Sequence, residues 1–241
     1  MSFVKKIAKV QHFVGTPSFD GPPIFSNSMP KAGTNLFEEF LIQLGYKRQL
    51  VRCLNEHNVG SVTVRSRRGR FYIGHLVDDN DIHAVNQTTF LLTRRLWDCL
   101  RSYINYMYID RTHPVSRFIR SQPLEEAIYC LFFTNNNPNK QPLVSEYLRF
   151  YRLDWNRYDL VVPFSKLVTN DPELTSKLAR ILGVPDDIVK QALSKALQAE
   201  SYTKNAGRID ILGSLSSEQA EALCSKVDAI EARAIVARLV I

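Results

Sequence analysis

The segment Met29-Pro30-Lys31-Ala32-Gly33-Thr34-Asn35 gathers the parts of an anion cradle: the Lys31 cation, a glycine where backbone must approach closely, and the Thr34 hydroxyl. At the start of a helix it would add unpaired N–H groups and the positive end of the helix dipole. It is not the G-x-x-x-x-G-K-[ST] loop, because Lys31 precedes Gly33. A second anion-ready pair is Arg94 and Ser102, eight positions apart. That is about two helical turns, which a long arginine side chain can span. His75, in Ile73-Gly74-His75-Leu76, is the candidate for proton transfer, since an imidazole titrates near neutrality. Each group also has a plainer structural reading: a capped turn, a salt-bridging arginine with a helix-surface serine, and a strand-end histidine bonded to backbone.

These groups need elements that carry them to one edge. Pro22 to Asn27 reads as a short buried strand that breaks at Ser28 to Asn35. Leu36, Phe37, Phe40, Leu41 and Leu44 then follow at helical spacing, with Gly45 as a stop. A second strand runs from Arg70 to Ile73 and ends at Gly74-His75. A third, Thr88 to Thr93, leads through Arg94-Arg95 into a helix carrying Leu96, Trp97, Leu100, Tyr103, Ile104 and Met107. This alternation predicts a parallel α/β sheet whose C-terminal strand ends, where open sheets collect ligands, carry the candidate residues. Tyr108 to Asn156 reads as helical and aromatic, broken by a loop over 134–142. Tyr158 to Phe164 is a fourth strand, with Pro163 near its end. Helices are predicted over 173–182, stopped by Gly183, and over 186–199. A basic loop spans Ser201 to Gly213, and one or two helices close the chain over 217–241. Asp78 to Asp81 reads as a solvated turn, which sets the rival base His83 aside. His12, His57 and His113 have no supporting context.

A chain of 241 residues, 45% apolar and 23% charged, can bury a sizeable core, and a single domain is the expectation. The 31 Lys plus Arg against 24 Asp plus Glu give a formal charge of +7, a field that favours anionic ligands. Cys53, Cys99, Cys130 and Cys224 form no C-x-x-C pair and have no histidine at zinc spacing, so no metal site is expected. Cys99 and Cys224 read as small buried residues in helices, and a reducing compartment is favoured. No apolar run suggests a secretory signal or membrane span.

Together the loop and the Arg94 pair resemble the PAPS-dependent sulfotransferases, whose donor is 3′-phosphoadenosine 5′-phosphosulfate. The family's first motif, P-K-[ST]-G-T-[TN], is matched by Pro30, Lys31, Gly33, Thr34 and Asn35, with Ala32 in the Ser/Thr place. Its second, strand-R-[DN]-P-x-[DE]-x-x-x-S, is matched by Arg94, Asp98 and Ser102, while Arg95 and Leu96 replace Asp-Pro. The resemblance spans most of Ile24 to Ser102 and implies a P-loop-like central parallel sheet flanked by helices. It implies that Lys31, Ala32, Gly33, Thr34 and Asn35 hold the 5′-phosphosulfate, that Arg94 and Ser102 hold the 3′-phosphate, and that His75 takes the acceptor's proton. Lys31 would neutralise the leaving phosphate oxygen, and no metal is required. Ser201 to Ile209 is similar to the loop T-F-R-K-G-x-[VI]-G that folds over the 3′-phosphate, with Lys204 and Arg208 as its cations. Phe164 stands where the family's tyrosine stacks near adenine, or else belongs to the core.

The expected map is one sulfotransferase-like domain over 1–241, with donor-binding units in 22–107, an acceptor-side helical part in 108–157, and C-terminal helices with the covering loop in 158–241. The acceptor, a small molecule or a sugar, would lie over Tyr103 to Trp155, which includes Tyr106, Tyr108, Arg111, Arg117, Phe118 and Arg149. A cytoplasmic enzyme with no membrane or nucleic-acid partner is the expectation, and the oligomeric state is open. Two alternatives stand beside it. A P-loop-like small-molecule kinase would need a Walker lysine and a Mg²⁺ carboxylate. A non-catalytic nucleic-acid-binding protein would need a continuous basic stripe, whereas Arg65, Arg67, Arg68 and Arg70 form the single dense cluster.

Overall fold

The structure, a computed structural model, describes residues 16–49, 53–56, 67–83, 87–199 and 210–239, without the side chains of residues 82, 83 and 239. Lys204, Arg208, Arg65, His12 and His57 lie outside the described residues. Five strands, β1 (Ile24–Ser28), β2 (Lys47–Arg48), β3 (Arg70–Gly74), β4 (Thr88–Thr93) and β5 (Leu160–Pro163), form a sheet in the order β2-β3-β1-β4-β5. Every pairing is parallel. The helices, in chain order, are α1 (Thr34–Gln43), α2 (Asp79–His83), α3 (Leu96–Ile109), α4 (Pro114–Arg120), α5 (Leu124–Phe133), α6 (Leu143–Leu148), α7 (Phe164–Val168), α8 (Pro172–Leu182), α9 (Asp186–Gln198) and α10 (Ser217–Leu239). The fold is thus α/β, with a central parallel sheet flanked by helices. No helix among the described residues is long and apolar enough to cross a membrane.

The described residues divide into two compact units, one of 16–28, 32–93 and 154–199, the other of 29–31, 94–153 and 210–239. The first holds the sheet. Its β1 is buried at all five positions, as a central parallel strand requires. Phe37, Phe40 and Leu41 of α1 are fully buried with Phe71 of β3 and Phe90 of β4, and the Phe37 and Phe90 rings meet edge to face at 5.3 Å. Asp171 caps α8 by accepting the Leu174 N–H, and Gly183, at φ 71°, ends it as expected. The second unit is helical. Leu96, Leu100 and Ile104 of α3 are buried with Ile128, Leu131 and Phe132 of α5, and Trp97 meets Phe132 edge-on at 6.2 Å. From α10, Leu223 and Val227 are buried one turn apart.

Several boundaries differ from those read in the sequence. The first strand continues through Ser28, because Ser28 still pairs in register with Leu92 of β4. Strand β5 stops at Pro163, and Phe164 opens a short helix instead. The Asp78–Asp81 segment forms the helical turn α2, started by the Asn80 N–H donating to the Asp78 carboxylate at 2.8 Å. Strand β2 was not expected: two polar residues carry no apolar pattern, and the backbone of β3 recruits them, the Lys47 N–H donating to the Gly69 carbonyl and the Gln49 N–H to that of Phe71. The last 23 helical residues form one helix, α10.

Candidate functional site

In the first unit the chemistry gathers where β1 and β3 end. Asn27 pairs in register with Gly74, so the next residues, Ser28 and His75, lie level with each other at the strand ends. His75 Nδ1 lies 2.7 Å from the Ser28 carbonyl oxygen. A carbonyl only accepts, so Nδ1 carries a proton, and in the neutral ring the lone pair lies on Nε2. Ser28 Oγ is 3.2 Å from the same Nδ1 and 2.7 Å from Thr34 Oγ1. The loop residue and the imidazole are therefore linked through one buried serine, which is 0% exposed.

The turn bearing His75 is held by Asn27, also 0% exposed. Its side-chain amide donates to the Leu76 carbonyl at 2.9 Å and to the Tyr158 hydroxyl at 2.8 Å, while its carbonyl oxygen accepts the Leu76 N–H at 2.8 Å. A buried amide with three bonds fixes the residues flanking His75. Gly33 enters α1 in the left-handed region at φ 99°, and no side chain caps the helix. A Cβ there would stand 2.6 Å from the Phe164 ring. The half-buried Phe164 ring thus occupies the space that a side chain at position 33 would need. Asn35, next along α1, is exposed, and Ala32, where the family motif has a hydroxyl, is fully buried.

In the second unit, Lys31 adopts φ 66°, a conformation uncommon outside glycine. Its ammonium lies 3.4 Å from the centre of the Tyr106 ring. Burial lowers its pKa to about 8, and the ring face acts in the opposite direction by favouring the cation. Arg94 Nη1 donates to the Lys31 carbonyl at 3.2 Å. This guanidinium therefore supports the loop backbone, a contact the sequence did not indicate. Ser102 is half-buried in the second turn of α3.

The N-terminus of α3 is closed by the chain itself. The Leu96 N–H donates to both oxygens of Glu231 at 3.0 Å, and the Tyr151 hydroxyl donates to the same carboxylate. Arg95 pairs with Asp228, its Nε 3.0 Å from Oδ1. Cys224 is half-buried beside Asp228 and Arg95, not enclosed as expected, and burial pushes its thiol pKa up. His113 caps α4 by accepting the Val115 N–H, so its role there is structural. The Tyr108 ring is covered by the Arg120 guanidinium at 3.7 Å, and Arg149 pairs with Glu146 at 3.6 Å. No group of three metal-ligating side chains occurs among the described residues.

Thr34 and His75, both named from the sequence, are linked here through Ser28, while Ser28 and Asn27 were not among the residues the sequence singled out. The available signal was a polar run, Ser26-Asn27-Ser28, at the end of a strand that is otherwise apolar. No family model and no curated protein matches the chain.

Proposed function

We propose that the chain is a PAPS-dependent sulfotransferase with a P-loop-like sheet, moving a sulfuryl group from 3′-phosphoadenosine 5′-phosphosulfate to a hydroxyl or amine of a small-molecule or sugar acceptor. The observation that carries the proposal is the 2.7 Å bond between His75 Nδ1 and the Ser28 carbonyl, one strand end away from the Gly33–Thr34 loop. It leaves Nε2 as the proton acceptor, the tautomer a general base needs. Further support comes from β1 lying between β3 and β4, with its loop entering α1 directly.

In this mechanism the acceptor oxygen attacks sulfur in line, its proton passes to His75 Nε2, and the bridging S–O bond breaks with its electron pair on the 5′-phosphate oxygen. The Thr34 hydroxyl and the first amides of α1 bind that phosphate, and Lys31 neutralises the growing charge. Arg94 and Ser102 take the 3′-phosphate, Arg94 keeping its bond to the Lys31 carbonyl. Positioning and charge supply most of the help, as in phosphoryl transfer.

The test is a transfer assay with sulfur-labelled donor against a panel of phenols, alcohols, amines and sugars. Wild-type protein should label at least one acceptor. His75→Ala, folded by circular dichroism, should lose about 100-fold or more in rate, the usual worth of a general base. Near-normal transfer by a folded His75→Ala variant removes His75 as the base, and absence of transfer to every acceptor class counts against the activity.

A further inference from the structure

Four polar atoms at the end of β1 form a hydrogen-bonded chain. Nδ1 of His75 donates to the Ser28 carbonyl at 2.7 Å and reaches Ser28 Oγ at 3.2 Å. Ser28 Oγ and Thr34 Oγ1 lie 2.7 Å apart and either hydroxyl can donate to the other, while the serine proton has a second acceptor in the Gly74 carbonyl at 3.4 Å. An anion that accepts the Thr34 proton, where the proposed function puts a phosphate oxygen, selects the arrangement in which Ser28 donates to Thr34.

We propose that Ser28 is a positioning residue that couples anion binding at the Thr34 loop to the strength of His75 as a proton acceptor. The proposal rests on the sulfotransferase reading for the identity of the anion. An anion that accepts the Thr34 proton makes Thr34 Oγ1 a better acceptor for the Ser28 hydroxyl. Ser28 Oγ then draws more strongly on the Nδ1 proton, and electron density at Nε2 rises. Hydrogen bonds in series polarise one another in this way, and more so away from water. Ser28 is fully buried, so it acts through its neighbours without touching substrate. The base is thereby strengthened when donor is present. The backbone carbonyl sets the tautomer in every state, so replacing the serine side chain leaves the tautomer intact and removes the coupling alone.

The experiment follows the His75 Nδ1 proton by NMR, with and without 3′-phosphoadenosine 5′-phosphate, alongside steady-state kinetics. In wild type the resonance should move downfield on adding the bisphosphate; in Ser28→Ala it should move by less than half as much. The same variant should lose about 3- to 10-fold in kcat, the worth of one hydrogen bond, with donor affinity kept within about twofold. Ser28→Thr should restore both readouts, and Ser28→Cys, a weaker acceptor of similar size, should fall between and serves if the alanine variant does not fold. An equal resonance shift in wild type and Ser28→Ala overturns the coupling, as does a parallel loss of kcat and donor affinity that threonine does not restore. If calorimetry finds no bisphosphate binding to wild type, the nucleotide assignment falls separately. The relay is then judged on ligand-free protein, where an Nδ1 resonance identical in wild type and Ser28→Ala overturns it.

Discussion

Lys31 illustrates how burial and an aromatic face act in opposite directions on one cation. Partial burial favours its neutral form and lowers its pKa to about 8, while the Tyr106 face, 3.4 Å away, favours the cation. An anion beside it would add a further term on the side of the cation. Below pH 8 the ammonium is present and bisphosphate binding should be at full strength; as pH rises through 8 the group loses its proton and affinity should fall. Calorimetric titrations between pH 7 and pH 9 check this, and a Lys31→Met variant should bind weakly with a flat profile over the same range. The linked effect on folding has the opposite direction. The unfolded lysine keeps its proton up to its ordinary pKa of 10.5, so between about 8 and 10.5 the unfolded chain binds more protons and stability contributed by this group rises with pH. Lys31, Thr34 and His75 were legible in the sequence because their types carry chemistry and they fall at strand or helix ends. Ser28 and Asn27 were not, because serine and asparagine after a strand are also the ordinary residues of a turn. Only the burial of both distinguishes the two cases.

Among the elements, α3 shows the limit of local reading. Its apolar stripe and its start after Arg94-Arg95 were plain from spacing, yet what closes its first turn lies on α10. Glu231 bonds the Leu96 N–H and receives the Tyr151 hydroxyl, and beside it Asp228 holds Arg95. A carboxylate at this position satisfies orphan amide donors and complements the helix dipole. Burial first, and then the neighbouring Glu231, raise the Tyr151 pKa, so this phenol stays a donor at any ordinary pH. Glu231→Ala should leave the Leu96 amide and the Tyr151 hydroxyl without their shared acceptor and cost about 1–3 kcal/mol, read as a lower urea midpoint with unchanged slope. Glu231→Gln keeps an acceptor and should cost less. The 135 positions between Leu96 and Glu231 put this cap beyond any motif. Strands β1, β3 and β4 and helices α1, α8 and α9 were legible because period and punctuation are local. Strand β2 was not, since its two residues owe their extended form to β3.

For the molecule as a whole, the sheet order sets β1 between β3 and β4, so the loop after β1 and the turn after β3 emerge side by side. That juxtaposition was expected from the alternation of strands and helices, and it is the part of the candidate site that topology alone explains. The formal charge of +7 is spread among cations of which several are already paired, Arg68 with Asp20, Arg95 with Asp228 and Arg101 with Asp210 among them. Exposed pairs of this kind contribute little to stability, but they remove those arginines from the charge available to a ligand. In the proposed reading the nucleotide meets Lys31 and Arg94, and binding should follow the nucleotide's phosphates and not polyanions in general. Calorimetry with 3′-phosphoadenosine 5′-phosphate, ATP and a DNA oligomer under one buffer tests this most directly. A sulfotransferase site predicts saturable one-to-one binding of the bisphosphate, with ATP and DNA markedly weaker; tight binding of ATP or DNA with none of the bisphosphate would contradict it.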